Sequence, residues 1–225
     1  MIGIIFSIKM KIYIAVFFLL FVNACASIDT NRIAPGYADA FTSIKQLLLG
    51  VENNIEPEVI KNIPYASILV RIGNGPAALM ILENITEEGY SWVSADGVYL
   101  IIKNGKIIKT HGLPNNLKEK LTPLEVWDQD LFINLEFVSY YSYSEPLLNN
   151  LKVISSYSVK EEENVELFFD TKKLSLIEEK IIASQVNWSK TNKYWIDDDN
   201  FVWKSVQHIS PRLPEFYIEV TKKPR

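Results

Sequence analysis

Two hairpin signals in succession mark residues 90–110, which read YSWVSADGVYLIIKNGKIIKT. The pairs Asp96-Gly97 and Asn104-Gly105 each separate two short runs rich in apolar residues. Asn-Gly between apolar strands favours a type I′ turn, because both central residues of that turn need positive φ. The stretch therefore predicts three consecutive antiparallel strands joined by tight turns.

The same succession of short strands and turns continues on both sides of this stretch. Upstream, residues 65–72 and 76–83 flank the turn Gly73-Asn74-Gly75. Downstream, strands are predicted at 133–143, 151–159, 165–170, 193–196, 201–209 and 215–221. Many short strands with hairpin links predict a mainly all-β fold, an antiparallel β-sandwich or barrel built from hairpins.

A few segments depart from the strand pattern. Residues 37–49 have helical spacing and Pro57–Asn62 fits a second helix, so one or two short N-terminal helices are expected. Residues 112–130 look irregular, and Lys160–Asn164 is predicted as a charged turn between two strands. The segment 177–188 is ambiguous at its start and has a β pattern at its end.

Length and charge limit the classes of function. The chain has 225 residues, which fits one domain with its own core. Its formal net charge is -4, with 23 basic and 27 acidic residues, and no basic stripe is visible along the sequence. This balance argues against nucleic acid as a partner, because phosphate binding depends on clustered Lys and Arg.

The N-terminus has the features of a lipoprotein leader. Residues 12–22 form an apolar run that is too short to span a bilayer but has the length of a signal-peptide core, with positive charge ahead of it. The sequence Val22-Asn23-Ala24-Cys25 resembles a bacterial lipobox. Cys25, the only cysteine of the chain, is therefore predicted to be lipidated, and no other cofactor is expected.

These features predict the domain boundaries and the location. The signal peptide occupies 1–24, with Met10 as the expected true start, a lipid-anchored tether occupies 25–35, and a single β domain occupies 36–225. Ala26 follows the cysteine, where Asp would favour retention in the inner membrane. The expected location is the cell envelope, on the outer membrane and facing the periplasm.

Ordered motifs of the mature chain resemble the GfcB/YjbF (YmcC-like) family of bacterial lipoproteins. They are the lipobox, IPYASILVRIGNGPAALMIL (63–82), WVSADGVYLIIKNGKIIKTHGLPNNL (92–117) and KYWIDDDNFVWKSVQHISPRLPEFYIEVTKKP (193–224). The segment 125–190 matches the family only in its general succession of strands and turns. Lys106 and Ile102 occupy positions where the family pattern has Arg and Thr. This difference weakens any functional role transferred from the family to these two positions.

The resemblance implies a role in group 4 capsule and exopolysaccharide production. It implies a non-catalytic lipoprotein that assists the assembly or export of capsular or extracellular polysaccharide. It also implies contacts with an outer-membrane β-barrel protein and a periplasmic protein of the same system, with the polysaccharide as a further candidate partner. Two alternatives stay open, a carbohydrate-binding module without an assembly role and a polysaccharide-modifying hydrolase.

No catalytic or metal-binding motif is legible in the sequence. His111 and His208 lie in none of the common hydrolase or metalloprotease motifs. Asp197–Asn200 is interpreted as a solvated hairpin turn rather than a calcium loop, because Phe201 occupies a position where such a loop needs a ligand. No catalytic residue and no metal ligand are therefore assigned.

Aromatic and polar residues supply the candidate contact residues. Tryptophan is more often a core residue in β proteins, but aromatic faces beside amide and carboxylate groups are also typical of sugar recognition. The expected contact surface consists of Trp92, Asp96, Tyr140, Trp203, Gln207 and Tyr217. Other polar motif residues either line a site or hold the hairpins in register; they are Ser94, Lys109, Thr110, Lys204 and Ser205.

Overall fold

The computed structural model describes residues 56–122, 127 and 135–224. Most of them lie in β-strands, with one short α-helix, α1 (Pro57–Asn62), ahead of the first strand and one turn of 3-10 helix at Ser184–Val186. The strands are β1 (Ser67–Ile72), β2 (Ala77–Thr86), β3 (Gly89–Ser94), β4 (Tyr99–Lys103), β5 (Lys106–His111), β6 (Leu117–Leu121), β7 (Glu136–Tyr143), β8 (Leu148–Glu166), β9 (Thr171–Ala183), β10 (Trp188–Ile196), β11 (Val202–Gln207) and β12 (Phe216–Lys222). The predicted all-β class and the helix at Pro57–Asn62 are confirmed.

The twelve strands form one antiparallel sheet that wraps into a nearly closed barrel. Their order is β5-β4-β3-β2-β1-β12-β11-β10-β9-β8-β7-β6. Apart from β5 and β6, strands that follow each other in the chain pair with each other, as hairpin connections require, and the first described strand pairs with the last. Of the two architectures expected from the sequence, the structure has the barrel.

The seam of the barrel lies between the edge strands β5 and β6. At this seam, Oγ1 of Thr110 in β5 accepts a hydrogen bond from the Leu117 N–H at 2.9 Å. Asn116 Oδ1 accepts a hydrogen bond from the Leu113 N–H at 3.0 Å, which fixes the connection between the two strands. Side-chain contacts thus hold the two edges together, and unpaired strand edges invite association with other chains.

Alternation along the strands fills the interior with apolar side chains. In β12, Phe216 and Ile218 are buried, while Tyr217 and Glu219 are partly exposed. This is the inward and outward pattern that the sequence predicts for the last strand. The same pattern repeats around the barrel and produces one large interior cluster.

A second apolar layer covers the outside of the first strands. Ile60 of α1 packs with Leu79 and Ile81 of β2, which point away from the interior. Met80 between them belongs to the interior cluster. This two-sided burial explains why β2 is apolar on both faces, as a strand buried on both sides should be. Phe168, from the loop between β8 and β9, joins the same outer layer.

The predicted turn at Lys160–Asn164 is wrong. Strand β8 runs through this charged segment, with a register irregularity between Val159 and Glu162. The chain turns only at Leu167–Asp170, so the strand predicted at 165–170 is also wrong. The charged residues face solvent and pair across the hairpin, with Glu162 opposite Ser175 and in an ion pair with Lys173. A run of charges is compatible with a strand when cross-strand partners lie beside it.

The irregular segment predicted at 112–130 contains a strand. Residues Leu117–Leu121 form β6, which pairs with β7 in antiparallel register. Its sequence, LKEKL, has little β propensity, so the pairing is set by the neighbouring strand and by closure of the barrel.

The leader at 1–24, Cys25, the tether and the helix predicted at 37–49 lie outside the described residues. Within the described residues, none of the helices has the length and apolarity that a membrane crossing requires.

Candidate functional site

A buried carboxylate lies inside the barrel on β9. Glu179 is 1% exposed. Its carboxylate accepts hydrogen bonds from Tyr157 Oη at 2.5 Å, Tyr194 Oη at 2.8 Å and Asn192 Nδ2 at 2.9 Å. The ammonium of Lys106 lies 3.8 Å from Glu179 Oε1 and donates to Tyr157 Oη at 2.7 Å. Strands β5, β8, β9 and β10 therefore converge on one negative charge.

The neighbours of Glu179 keep it ionised. Burial by itself raises the pKa of a carboxyl group, but the charges of Lys106 and Lys120 and the hydrogen bonds from Tyr157 and Asn192 outweigh burial. The pKa of Glu179 is held well below its usual range as a result. Burial lowers the pKa of Lys106 to about 8, although the attraction of Glu179 opposes this change.

A second buried lysine lies across the seam on β6. Lys120 is 9% exposed, and its Nζ lies 5.0 Å from the centroid of the Tyr141 ring. Burial lowers the pKa of Lys120, and the attraction of Glu179 opposes this change. In the described part of the chain, the Lys120 ammonium has no hydrogen-bond or ion-pair partner. Two buried ammonium groups thus share one buried carboxylate.

A cavity of about 670 Å³ runs along the seam beside these groups. We call it the seam groove, and its positive and aromatic lining consists of Lys103, Lys106, Lys109, Lys118, Lys120 and Trp127. The acidic side chains among its described lining residues are Glu88 and Glu119. Closure of the barrel therefore concentrates lysines that are dispersed in the sequence.

A second cavity, of about 440 Å³, lies at one end of the barrel. We call it the end cavity. Its lining includes Tyr90, Trp92, Phe201, Trp203, Ser205 and Lys223. The Trp92 ring meets Tyr90 edge-on, with centroids 6.4 Å apart. Trp92 Nε1 is buried and has no hydrogen-bond partner in the described part of the chain.

The structure brings two of the expected contact residues together and separates the other four. Trp92 and Trp203 line the end cavity, although Trp92 is buried in the interior cluster rather than displayed on the outer surface. Trp203 Nε1 donates to Asp197 Oδ2 at 2.8 Å, and its ring lies against Phe201 with centroids 5.1 Å apart. These two tryptophans are the part of the expected surface that forms one site.

Gln207 is buried and bridges strands rather than forming part of an outer surface. Its Oε1 accepts from the Ile107 N–H at 2.9 Å, and its Nε2 donates to Gly105 O at 2.8 Å. The amide therefore ties β11 to the turn between β4 and β5. Its other Nε2 contact is to Ser205 Oγ at 2.9 Å, so Ser205 shares this structural role.

The three other expected contact residues lie apart on the exterior. Asp96 is exposed in a turn and accepts a hydrogen bond from Ser94 Oγ. Tyr140 is exposed on β7, as its position in the strand predicts. Tyr217 on β12 packs against the guanidinium of Arg71, 3.8 Å from the ring centroid to Cζ. These residues do not form one patch with the two tryptophans.

The other polar motif residues mostly stabilise local structure. Lys204 donates to Glu166 O at 3.1 Å and so joins β11 to the β8–β9 hairpin. Asp197 Oδ1 accepts from the Asp199 and Phe201 N–H groups at 3.0 and 2.9 Å. The interpretation of Asp197–Asn200 as a hairpin turn is confirmed by these bonds. Lys109 lines the seam groove.

Glu179 and its partners are not among the residues expected from the sequence, although one signal points to them. Ile177 and Ile181 of β9 are fully buried and flank Glu179 on the same face. An acidic residue in an inward register needs buried partners. The partners come from other strands, and no local pattern identifies them.

The fold and its interior define a class, an all-antiparallel barrel with a buried charge network. A family model described as group 4 capsule polysaccharide lipoprotein gfcB, YjbF matches residues 39–221. The chain belongs to this family, and the resemblance inferred from its motifs is confirmed.

Two relatives and one solved structure agree with this assignment. The uncharacterized lipoprotein YjbF of Escherichia coli K-12 is 22% identical over 158 residues, which cover 67% of this chain and 72% of that protein. The uncharacterized lipoprotein GfcB of the same organism is 26% identical over 102 residues, 45% of this chain and 44% of that protein. The crystal structure of the hypothetical lipoprotein YmcC from Escherichia coli has a TM-score of 0.68 at 20% identity, covers 82% of this chain and 95% of its own, and shows that the fold is shared.

Proposed function

We propose that this protein assists the assembly or export of a capsular or extracellular polysaccharide, as a non-catalytic lipoprotein anchored to the outer membrane and facing the periplasm. One observation carries the proposal: the model of a family described as group 4 capsule polysaccharide lipoproteins matches residues 39–221. Partners in this role are an outer-membrane β-barrel protein, a periplasmic protein of the same system and the polysaccharide.

The anchor in this proposal is a lipid on Cys25. More than one acyl chain is needed for stable anchoring, and a lipidated N-terminal cysteine supplies them. The Cys25→Ser protein is expected in the soluble fraction of the envelope and without palmitate label, whereas wild type is labelled and sediments with membranes. Label that persists in the Cys25→Ser protein would contradict the anchor.

The chemistry of the interior supports a non-catalytic role. Glu179, the most strongly perturbed carboxylate, already accepts three hydrogen bonds and stays ionised, so it is poorly suited to general acid catalysis near neutral pH. The His208 ring Nδ1 lies 3.2 Å from Asn192 Oδ1, in a contact that orients the ring.

The test of the export role uses the whole chain in its own cell. Deletion of the gene is expected to lower polysaccharide on the cell surface and to raise it in the periplasm, and wild-type protein is expected to restore both levels. Crosslinking in intact envelopes is expected to recover the barrel protein or the periplasmic partner. Unchanged surface polysaccharide after deletion would overturn the proposal.

A second candidate function is carbohydrate binding without an assembly role, favoured by the aromatic lining of the end cavity. Trp92 Nε1 is a buried donor without a partner in the described part of the chain, and a sugar hydroxyl is a matching acceptor. Trp92→Phe removes this donor and keeps an aromatic ring. Loss of polysaccharide binding in Trp92→Phe, with export intact, would favour the second candidate over the first.

A further inference from the structure

Among the residues that the structure describes, the buried charges at the floor of the seam groove do not balance. Lys106 and Lys120 are both nine-tenths buried or more, and Glu179 is the buried carboxylate that they share. Lys106 takes the close position, 3.8 Å from Glu179 Oε1. One positive charge is left over, and a buried charge without a partner is costly.

Lys120 carries the excess charge. Its ammonium contacts the Tyr141 ring, with 5.0 Å to the centroid, and it has neither a hydrogen-bond acceptor nor a carboxylate at ion-pair distance among the residues that the structure describes. Lys120 is among the lining residues of the seam groove. Its ammonium is therefore available to an anionic ligand in that groove.

The rest of the groove suits a saccharide with negative charge. Lys103, Lys109 and Lys118 add positive charge along the lining, against Glu119 and Glu88, and Glu88 Oε2 lies 4.0 Å from Lys109 Nζ. The volume of about 670 Å³ falls within the roughly 300–1,000 Å³ of ordinary ligand sites.

The remaining polar lining favours hydroxyl groups over acyl chains. Ser142, Asn149 and Asn150 supply donors and acceptors along one side of the groove. The Trp127 ring is buried at the floor of the groove, where Lys106 Nζ lies 4.6 Å from its centroid and the Tyr194 ring 4.7 Å. The polar contacts to a glycan therefore come from the lysines and the amide side chains of the lining.

We propose that the seam groove binds an acidic segment of the polysaccharide, with a carboxylate or phosphate group of the glycan on the ammonium of Lys120. The inference rests on the proposed function, because it names the chemistry of the polymer that the protein handles. It assigns Lys120 as the specificity-determining residue and Lys103, Lys109 and Lys118 as charges that attract the glycan.

The binding test compares soluble probes on the purified full chain by calorimetry. A hexagalacturonate and a hyaluronan hexasaccharide serve as acidic glycans, maltohexaose as the neutral glycan of equal length, and glycerol phosphate as a lipid-headgroup analogue. At least one acidic glycan is expected to bind about tenfold more tightly than maltohexaose, as one charge-assisted contact allows. Equal binding of neutral and acidic hexasaccharides, binding of neither, or tighter binding of glycerol phosphate would overturn the proposal.

Lys120→Met separates a binding role from a structural one. It is expected to weaken acidic glycan binding about tenfold while the melting temperature stays equal or rises, because the unpaired buried charge is gone. Lys152→Met is the matched control, since Lys152 is exposed on β8 and lines neither cavity. Unchanged binding in Lys120→Met would overturn the assignment.

A surface variant covers the case in which Lys120→Met does not fold. Lys118 is exposed on β6 at the groove, so Lys118→Glu is expected to fold and to weaken acidic glycan binding about two- to fivefold. Unchanged binding in Lys118→Glu would then overturn the proposal. If acidic glycans fail to bind while gene deletion still lowers surface polysaccharide, the export role stands and this inference alone is wrong.

Discussion

At the scale of single residues, Glu179 determines the chemistry of the barrel interior. A carboxylate in an apolar core is stable only when charges and donors replace its water. Here two tyrosine hydroxyls and one amide donate to it, and Lys106 supplies the nearest positive charge. The network joins strands that are far apart in the sequence, so it favours one arrangement of the barrel.

Removal of this charge is expected to destabilise the protein strongly. Glu179→Gln leaves Lys106 and Lys120 buried without a carboxylate, and the expected loss in free energy of unfolding is about 3 kcal/mol or more. Urea denaturation measures it. The matched control is Glu178→Gln, because the neighbouring Glu178 lies outside the core and forms surface ion pairs with Lys160 and Lys193; its expected loss is under about 1 kcal/mol.

A second substitution should recover part of the loss. Adding Lys106→Met to Glu179→Gln removes one of the two buried positive charges that have lost their carboxylate. The double variant is therefore expected to be more stable than Glu179→Gln alone. A double variant that loses the sum of the two single losses would show that the two groups do not interact.

Acid should destabilise the protein through the same carboxylate. The pKa of Glu179 is lower in the folded protein than the ordinary glutamate value of 4.5. The unfolded chain therefore binds the proton more readily, so the stability from this group is present above about pH 4.5 and decreases as the pH falls below it. Denaturation curves from pH 6 to pH 3 should show a decrease that is shallower in Glu179→Gln, by up to about 1.4 kcal/mol per pH unit. Equal slopes would contradict this prediction.

At the scale of elements, the tight turns keep neighbouring strands in register. Asn104 and Gly105 have φ values of 50° and 75°, as the type I′ turn predicted from their sequence requires. Gly105 also packs beside Val202 of β11, where a Cβ would overlap the valine side chain. The turn therefore contributes to contact across the barrel as well as to its own hairpin.

Two glycine substitutions should separate these contributions. Gly105→Ala combines a left-handed backbone with the overlap and is expected to lower the free energy of unfolding by about 3 kcal/mol. Gly97 also has a positive φ, +83°, but the space around an added Cβ is open. Gly97→Ala is therefore expected to lower the free energy of unfolding by about 1 kcal/mol. Thermal denaturation of both variants measures the difference, and equal losses would show that the contact with Val202 is unimportant.

At the scale of the whole molecule, the decisive feature is how the barrel closes. The pairing of β1 with β12 joins the two halves of the sheet through regular main-chain bonds. At the seam, the Thr110 side chain bonds the Leu117 N–H. The seam therefore relies on side-chain hydrogen bonds instead of a regular main-chain ladder, and it is also where the lysine-lined groove runs.

Loss of the Thr110 hydroxyl should loosen the seam. Thr110→Val keeps the shape of the side chain but leaves the buried Leu117 N–H without an acceptor, so the expected loss is about 1–3 kcal/mol. Hydrogen exchange is expected to accelerate at β6 more than at β10. Thr191→Val, on the exposed face of β10, is the matched control and should change stability by less than about 0.5 kcal/mol. Unchanged exchange at β6 in Thr110→Val would contradict this role.

Local signals in the sequence determined the class of fold. Turn residues and alternation act between neighbours in the chain, so the hairpins around Asn104-Gly105 and the inward face of β12 were predictable. The same locality explains the errors. Pairing partners, which are distant in sequence, decide that β8 continues through its charged segment and that LKEKL forms β6.

Only the tertiary structure decided where the charges meet. Lys106, Lys120 and Glu179 lie on three strands, and no periodicity relates them. The sequence predicted Trp92 and Trp203 as candidates, but closure of the barrel put both at one cavity and buried Gln207 between strands. Turn chemistry is a property of adjacent residues, whereas a binding site in a barrel is a property of the closed sheet. The sequence therefore determined the strands, and the closed sheet decided which side chains share an interior.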